Sequence, residues 1–275
     1  RALATEPSSN LVMLADGLAK IYRGDFENAG DQLQVASDAG SKGTALDKIP
    51  QSMAHLALSH LYRKQGLLAE SIQEAHAAAA DKRFESEAIA YEARAVLEDN
   101  ARPDYLAKAN SLAVKAVSAD SSNANSLISQ AMCELKNGNA DAARKLALKA
   151  TELAPFNADS HLTLARISNA QGDAPETEKR IARAMECAPK DPEVLAEKAR
   201  SLLKQNKSSE AADLLKQAFD HVVRKPEMSY LLAEACEKNG DKTESLKYYK
   251  LSLNQGLSGD SLAQAKAAIS RLETK

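Results

Sequence analysis

Tryptophan is absent from this sequence, and aromatic residues of every kind make up only 4% of its 275 positions. A thick globular core normally draws much of its buried area from aromatic side chains. Their scarcity, beside abundant alanine, favours thin helices packed closely at small residues. An excess of one charge is also lacking: 36 basic residues stand against 38 acidic ones, a net of −2. No global field therefore favours nucleic acid or an anionic membrane as a partner. No apolar run approaches the roughly 18 residues needed to span a bilayer, and no secretory hydrophobic segment occurs, so membrane insertion by this segment is not expected. Cys133, Cys187 and Cys236 are widely spaced, with no Cys-x-x-Cys pair. That pattern reads as small buried thiols rather than a metal or redox site.

Catalytic signatures are missing too. The five histidines, His55, His60, His76, His161 and His221, show no His-Glu-x-x-His spacing. No glycine-rich phosphate loop and no Gly-x-Ser-x-Gly elbow appears. The chain is read as non-enzymatic, with no metal and no cofactor. Hydrophobic residues at 44% and charged residues at 27% nonetheless specify a folded chain, not a disordered one.

What is present is a repeat. The turns Asn137-Gly138-Asn139, Gln171-Gly172-Asp173 and Asn239-Gly240-Asp241 recur in register at a period of 34 residues, with Asn206 midway between the last two. Gly24, Gly66 and Asn100 continue the series towards the start. Glycine and asparagine are the residues that tolerate the left-handed conformation closing a helix. With that turn residue numbered 15, repeats occupy 10–43, 52–85, 86–123, 124–157, 158–191, 192–225 and 226–259. Residues 44–51 are an inserted linker, and the third repeat carries a four-residue insertion at 101–104.

Three columns of this register are small throughout. Position 8 is Gly17, Ser59, Ala93, Ala131, Ala165, Ala199 and Ala233. Position 20 is Ala29, Ser71, Ala109, Ala143, Thr177, Ala211 and Ser245. Position 27 is Ala36, Ala78, Ala116, Ala150, Ala184, Ala218 and Ser252. Such columns place a helix A and a helix B in each unit, crossing at positions 8 and 20, with position 27 against the next unit. A hairpin that cannot bury its own face must stack on its neighbours.

Leu164-Ala165 with Ala184 and Pro189, and Gly24-Asp25-Phe26 followed by Ala29, resemble the tetratricopeptide repeat signature. Position 4, however, is never Trp; His55 and His161 stand there, in a packing role. The resemblance implies an all-α, right-handed superhelical solenoid of antiparallel helix pairs, about seven repeats plus a capping helix. Residues 1–9 read as the tail of a preceding helix B, which implies that the native protein continues upstream. Residues 260–275 carry Leu262, Ala265, Ala268, Ile269 and Leu272 on one face and read as the cap.

In this family helix A lines the concave groove, and positions 2, 5, 9, 12 and 13 face the ligand. Here position 9 supplies His60, Arg94, Met132, Arg166 and Arg200, and position 13 supplies Lys64, Lys136 and Lys204. Position 5 supplies Ile128, Leu162 and Tyr230, and position 12 supplies Leu135. With Tyr91 these form the candidate partner-binding set, of which Arg166 and Arg200 are expected to be exposed. A protein or peptide segment carrying acidic and apolar residues would suit the set. Two alternatives stay open. Acids at position 2, Glu87, Asp159, Glu193 and Glu227, can pair internally with the arginines. The faces can also bind copies of the same chain, making it a structural spacer or homo-oligomerising module. Position 5 is never Lys and position 9 never Asn, which disfavours the family's chaperone-carboxylate clamp. The Ala-rich repeats and short terminal helix also resemble bacterial assembly and secretion proteins, including those of exopolysaccharide export.

Overall fold

The computed structural model describes residues 10–38, 48–100, 102–220 and 225–274. Among these, fifteen helices form and no strand does. The expected tail at 1–9 and residues 44–47 of the inserted linker lie outside the described residues, as does His221.

In chain order the helices are α1 Asn10–Arg23, α2 Phe26–Asp38, α3 Lys48–Gln65, α4 Leu68–Ala79, α5 Glu85–Glu98, α6 Tyr105–Ala119, α7 Ala124–Lys136 and α8 Ala140–Leu153. They continue as α9 Ala158–Ala170, α10 Ala174–Cys187, α11 Pro192–Lys204, α12 Ser208–Phe219, α13 Pro226–Lys238, α14 Lys242–Asn254 and α15 Gly259–Glu273. Residues 48–51, read from the sequence as linker, are instead the first turn of α3.

The chain divides into two compact units, residues 1–180 and 181–275, the boundary falling inside α10. In the first unit each helix packs on the next from α1 to α9, and the odd-numbered helices α1, α3, α5, α7 and α9 also lie side by side. In the second, α11 to α15 repeat the arrangement, with α11, α13 and α15 adjacent.

Local chemistry explains where the helices begin and end. Asn123, Asn157, Asp191 and Asp241 accept hydrogen bonds from backbone amides in the first turns of α7, α9, α11 and α14, satisfying groups the helix leaves open. Pro192 and Pro226 stand in the first turn of their helices, where a missing N–H is harmless. The turn column behaves as its composition requires. Gly24, Gly66, Gly138, Gly172 and Gly240 have φ between 76° and 85°, and Asn206 has φ 60°. Asn100 departs from the series and lacks positive φ, because the insertion after it spreads the connection over more residues.

The small columns are the seams. Every described residue at positions 20 and 27 is buried, and so is position 8 from Ser59 onward. Ser71 Oγ donates to the Ser59 carbonyl at 2.8 Å, and Ser245 Oγ to the Ala233 carbonyl at 3.0 Å. Both bonds join position 20 to position 8 across a hairpin, so the two backbones are nearly in contact there. A β-carbon built on Gly17 would lie 2.7 Å from Leu33 Cγ. The cap is formed as well: Ala265 and Ala268 of α15 bury against Ala233, Tyr249 and Leu257, with Ile269 and Leu272 beside them.

Candidate functional site

The odd-numbered helices of the first unit present one polar centre. Lys64 and Arg63 come from the last turn of α3, His60 from one turn earlier, Tyr91, Arg94 and Glu98 from α5, and Asp159 from the first turn of α9. Lys64 Nζ donates to Asp159 Oδ1 at 2.7 Å, and Arg94 Nη2 donates to Asp159 Oδ2 at 2.5 Å. Arg63 pairs with Glu98 and also stands 4.0 Å from Asp159. Lys64 is 1% exposed and Arg94 2%.

Three steps between adjacent helices, at about 8–10 Å each, would put α3 some 25–30 Å from α9 on a flat face. A lysine and an aspartate cannot bridge that distance. The face from α3 to α9 therefore curves until side chains meet across it.

Tyr91 links this centre to a second network. Its ring lies 5.4 Å from the His60 ring and 6.0 Å from the Arg94 guanidinium carbon. Its hydroxyl donates to Glu87 Oε1 at 2.9 Å, and Asn125 Nδ2 donates to the same oxygen at 2.7 Å. Asn157 Nδ2 reaches Asn125 Oδ1 at 3.3 Å, and Asn157 Oδ1 accepts from the Asp159 amide. The residues at position 2 of three successive repeats, Glu87, Asn125 and Asp159, are thus joined.

The cations and burial set the protonation states. Arg94, Lys64 and their neighbours hold the Asp159 carboxyl well below the usual range despite its burial. Burial lowers His60 to about 3, against the pull of Asp159 and with the push of Lys64, Arg63 and Arg94. His60 is therefore neutral at physiological pH. Burial, with Glu87 nearby, raises the Tyr91 phenol well above its ordinary value. The arrangement holds a carboxylate between two cations. Among the described residues no cluster of His, Cys, Asp or Glu has metal-binding geometry.

The candidate set divides on burial. Arg94, Tyr91, Ile128 and Leu162 are buried, so the exposed stripe expected of them is not formed. Ile128 packs between Val117 of α6 and Leu146 and Ala150 of α8, and Leu162 is buried as well. His60, Met132, Leu135 and Arg166 are half-buried, and Lys136 and Lys204 are exposed. Arg200 is not simply exposed: its side chain keeps 37% of its surface, and Nη1 donates at 2.5 Å to Glu197, which is almost fully buried. Tyr230 is half-buried, its hydroxyl donating to Gln264 at 2.6 Å. Asp159 does pair internally, as one alternative foresaw, but with Arg94 and Lys64. Arg63, absent from the candidate set, stands at position 12 of its repeat, a groove position that could have found it.

The packing histidines behave as expected: His161 is buried, with Nε2 on the Pro155 carbonyl, and His55 Nδ1 lies 2.6 Å from Glu74. Cys133 and Cys236 are buried and Cys187 half-buried, all as free thiols. On the outer helices, position 25 carries exposed His76, Val114, Leu148, Ala182, Lys216 and Lys250.

Residues 128–192 and 197–261 match the family model described as tetratricopeptide repeat. A tetratricopeptide repeat protein from Parabacteroides merdae is similar in structure, at TM-score 0.54 and 15% identity over 97% of this chain and 99% of that one. A thermophilic protein of the same class from Thermus thermophilus aligns at TM-score 0.54 and 19% identity, covering 64% of this chain and 96% of its own. The Cut9–Hcn1 hetero-tetramer of the APC/C aligns at TM-score 0.68 and 13% identity, over 96% of this chain and 49% of that one. No curated protein matches in sequence. Residues 128–192 and 197–261 are thus tetratricopeptide repeats, and the fold is the all-α array of helix pairs that the repeat register implies. No helix among the described residues is long and apolar enough to cross a membrane.

Proposed function

We propose that this chain is a non-catalytic protein-interaction scaffold whose helix A faces take a peptide or protein segment bearing acidic and apolar residues. The tetratricopeptide fold is consistent with that role. The observation that carries the finer reading is the mixed character of what stays accessible on those faces. Half-buried Met132 and Leu135 stand beside exposed Lys136 on α7. Apolar area supplies affinity that exposed ion pairs, at about 0–1 kcal/mol each, do not.

Reversing Arg200 is a poor test, because it would set two carboxylates against each other over buried Glu197. Lys136→Glu is cleaner. Peptides selected from a random library against the whole chain should carry Asp or Glu among Leu or Ile, and this variant should lose them without a change in melting temperature. Selection with no such consensus, or retained binding by Lys136→Glu, would sink the reading.

A self-associating module is the second reading. Exposed Val114 and Leu148, at the same position of two successive outer helices, favour it. Sedimentation showing mass that rises with concentration, and loses that rise in Val114→Lys, would support it over the first.

A further inference from the structure

Arg94 is almost fully buried, yet its Nε and Nη1 have no hydrogen-bond partner. Asp159 engages Nη2 alone. A carboxylate facing an arginine squarely takes two parallel N–H donors. Asp159 instead turns its other oxygen to Lys64. The guanidinium fork is half filled in a place where water does not reach it.

Such an arrangement is disfavoured on stability alone. A buried donor left unmade is a penalty, and well-packed apolar residues commonly replace buried ion pairs without loss. Three nearly fully buried cations, Arg63, Lys64 and Arg94, are costly residues to place here. Conflict between local stability and residue choice is expected at functional positions.

The bridge also differs from everything around it. Neither α3 nor α5 packs extensively against α9, so Asp159 is tied to Lys64 and Arg94 by side chains alone. Parting them opens no hairpin seam and disturbs none of the small columns. α7, which lies between α5 and α9, brings half-buried Met132 to the same face.

We propose that Asp159 is an internal occupant of a carboxylate site formed by Arg94 and Lys64, and that an acidic segment of a protein partner binds there by displacing it. The proposal rests on the scaffold reading and adds where the acid docks and what it must compete with. The bound group is a carboxylate because one is already seated on these two cations, and because the open half of the arginine fork matches a second oxygen.

The test uses the full chain and a hexaglutamate peptide capped at both ends. Asp159→Asn and Asp159→Ser, each checked for a cooperative melt, should bind it at least tenfold tighter than wild type, and adding Arg94→Met should remove the gain. A folded Asp159 variant that binds no tighter overturns the proposal. So does a gain that survives Arg94→Met, since that marks unspecific attraction of a polyanion. Should neither variant fold, the wild type decides: its Arg94 Nε–H proton resonance moves downfield as hexaglutamate is added, and an unmoved resonance at the highest soluble concentration overturns the site. Library peptides lost in Lys136→Glu but indifferent to every Asp159 variant would leave the scaffold reading standing and remove this one.

Discussion

Lys64 and Asp159 stand 95 residues apart in sequence and 2.7 Å apart in space. The pair joins helix A of one repeat to helix A of the third repeat beyond it. Nearest-neighbour interfaces dominate the energetics of solenoids. A direct bond over three repeats adds a long-range constraint to an otherwise local fold.

Removing one partner from this centre should therefore be worse than removing all of it. Arg94→Met leaves Asp159 under-compensated and is expected to lower stability by about 3–5 kcal/mol. Lys64→Met, Arg94→Met and Asp159→Leu together should cost less than that single change. Denaturant unfolding of the full chain checks the order, and a triple variant weaker than the single one contradicts it.

Acid should weaken the fold before Asp159 titrates. His60 stays neutral in the folded chain down to about pH 3, whereas an unfolded histidine takes a proton below about 6.5. The unfolded state then binds more protons, so stability falls as pH drops from 6.5 towards 3, with a slope approaching at most about 1.4 kcal/mol per pH unit. Asp159 has the opposite origin but the same sign. Its depressed pKa stabilises above the unfolded value near 4 and is lost only below it. Unfolding at pH 7, 5.5 and 4.5 should show a steep fall in wild type and a shallower one in His60→Gln; parallel curves would count against it.

The turn column gives a paired prediction of opposite sign. Asn206→Gly should stabilise by about 0.5–1 kcal/mol, since a side chain is being held at φ 60°. Gly138→Ala, at φ 85°, should destabilise by about 1–2 kcal/mol, although a β-carbon there meets no atom within 4 Å. Thermal melts of the two variants should move in opposite directions.

Thiol reactivity should follow burial. Cys133 is buried and its pKa is pushed up to about 12, so almost no thiolate is available. Cys187 is half-buried. Under native conditions iodoacetamide should modify Cys187 first and Cys133 last, as mass spectrometry of timed samples would show.

The fold was legible because its signals are local and repeated. A left-handed turn needs glycine or asparagine, and a helix crossing needs a small side chain. Both needs recur at the same register in unit after unit. The centre was only half legible. Asp159 stood out as an acid able to pair internally, but one helical face suggests a neighbour such as Arg166, seven residues on. Lys64 and Arg94 become its partners through curvature across several repeats, and curvature accumulates from small rotations that no single repeat encodes. Ile128 and Leu162 were misjudged for a related reason. How deeply position 5 sinks into a seam depends on the size of residues in the adjacent hairpin. Asn100 lost its left-handed conformation to an insertion whose length was visible but whose path was not.

Position 25 matters because a chain of near-identical units has no built-in landmarks. In this one the outward side chain at that position changes along the sequence from His76 through Val114 and Leu148 to Lys216 and Lys250. A second molecule touching the outer helices would meet aliphatic groups at one address and ammonium groups at another. Each of the two compact units thus carries its own chemical label on the outside, aliphatic in the first and cationic in the second.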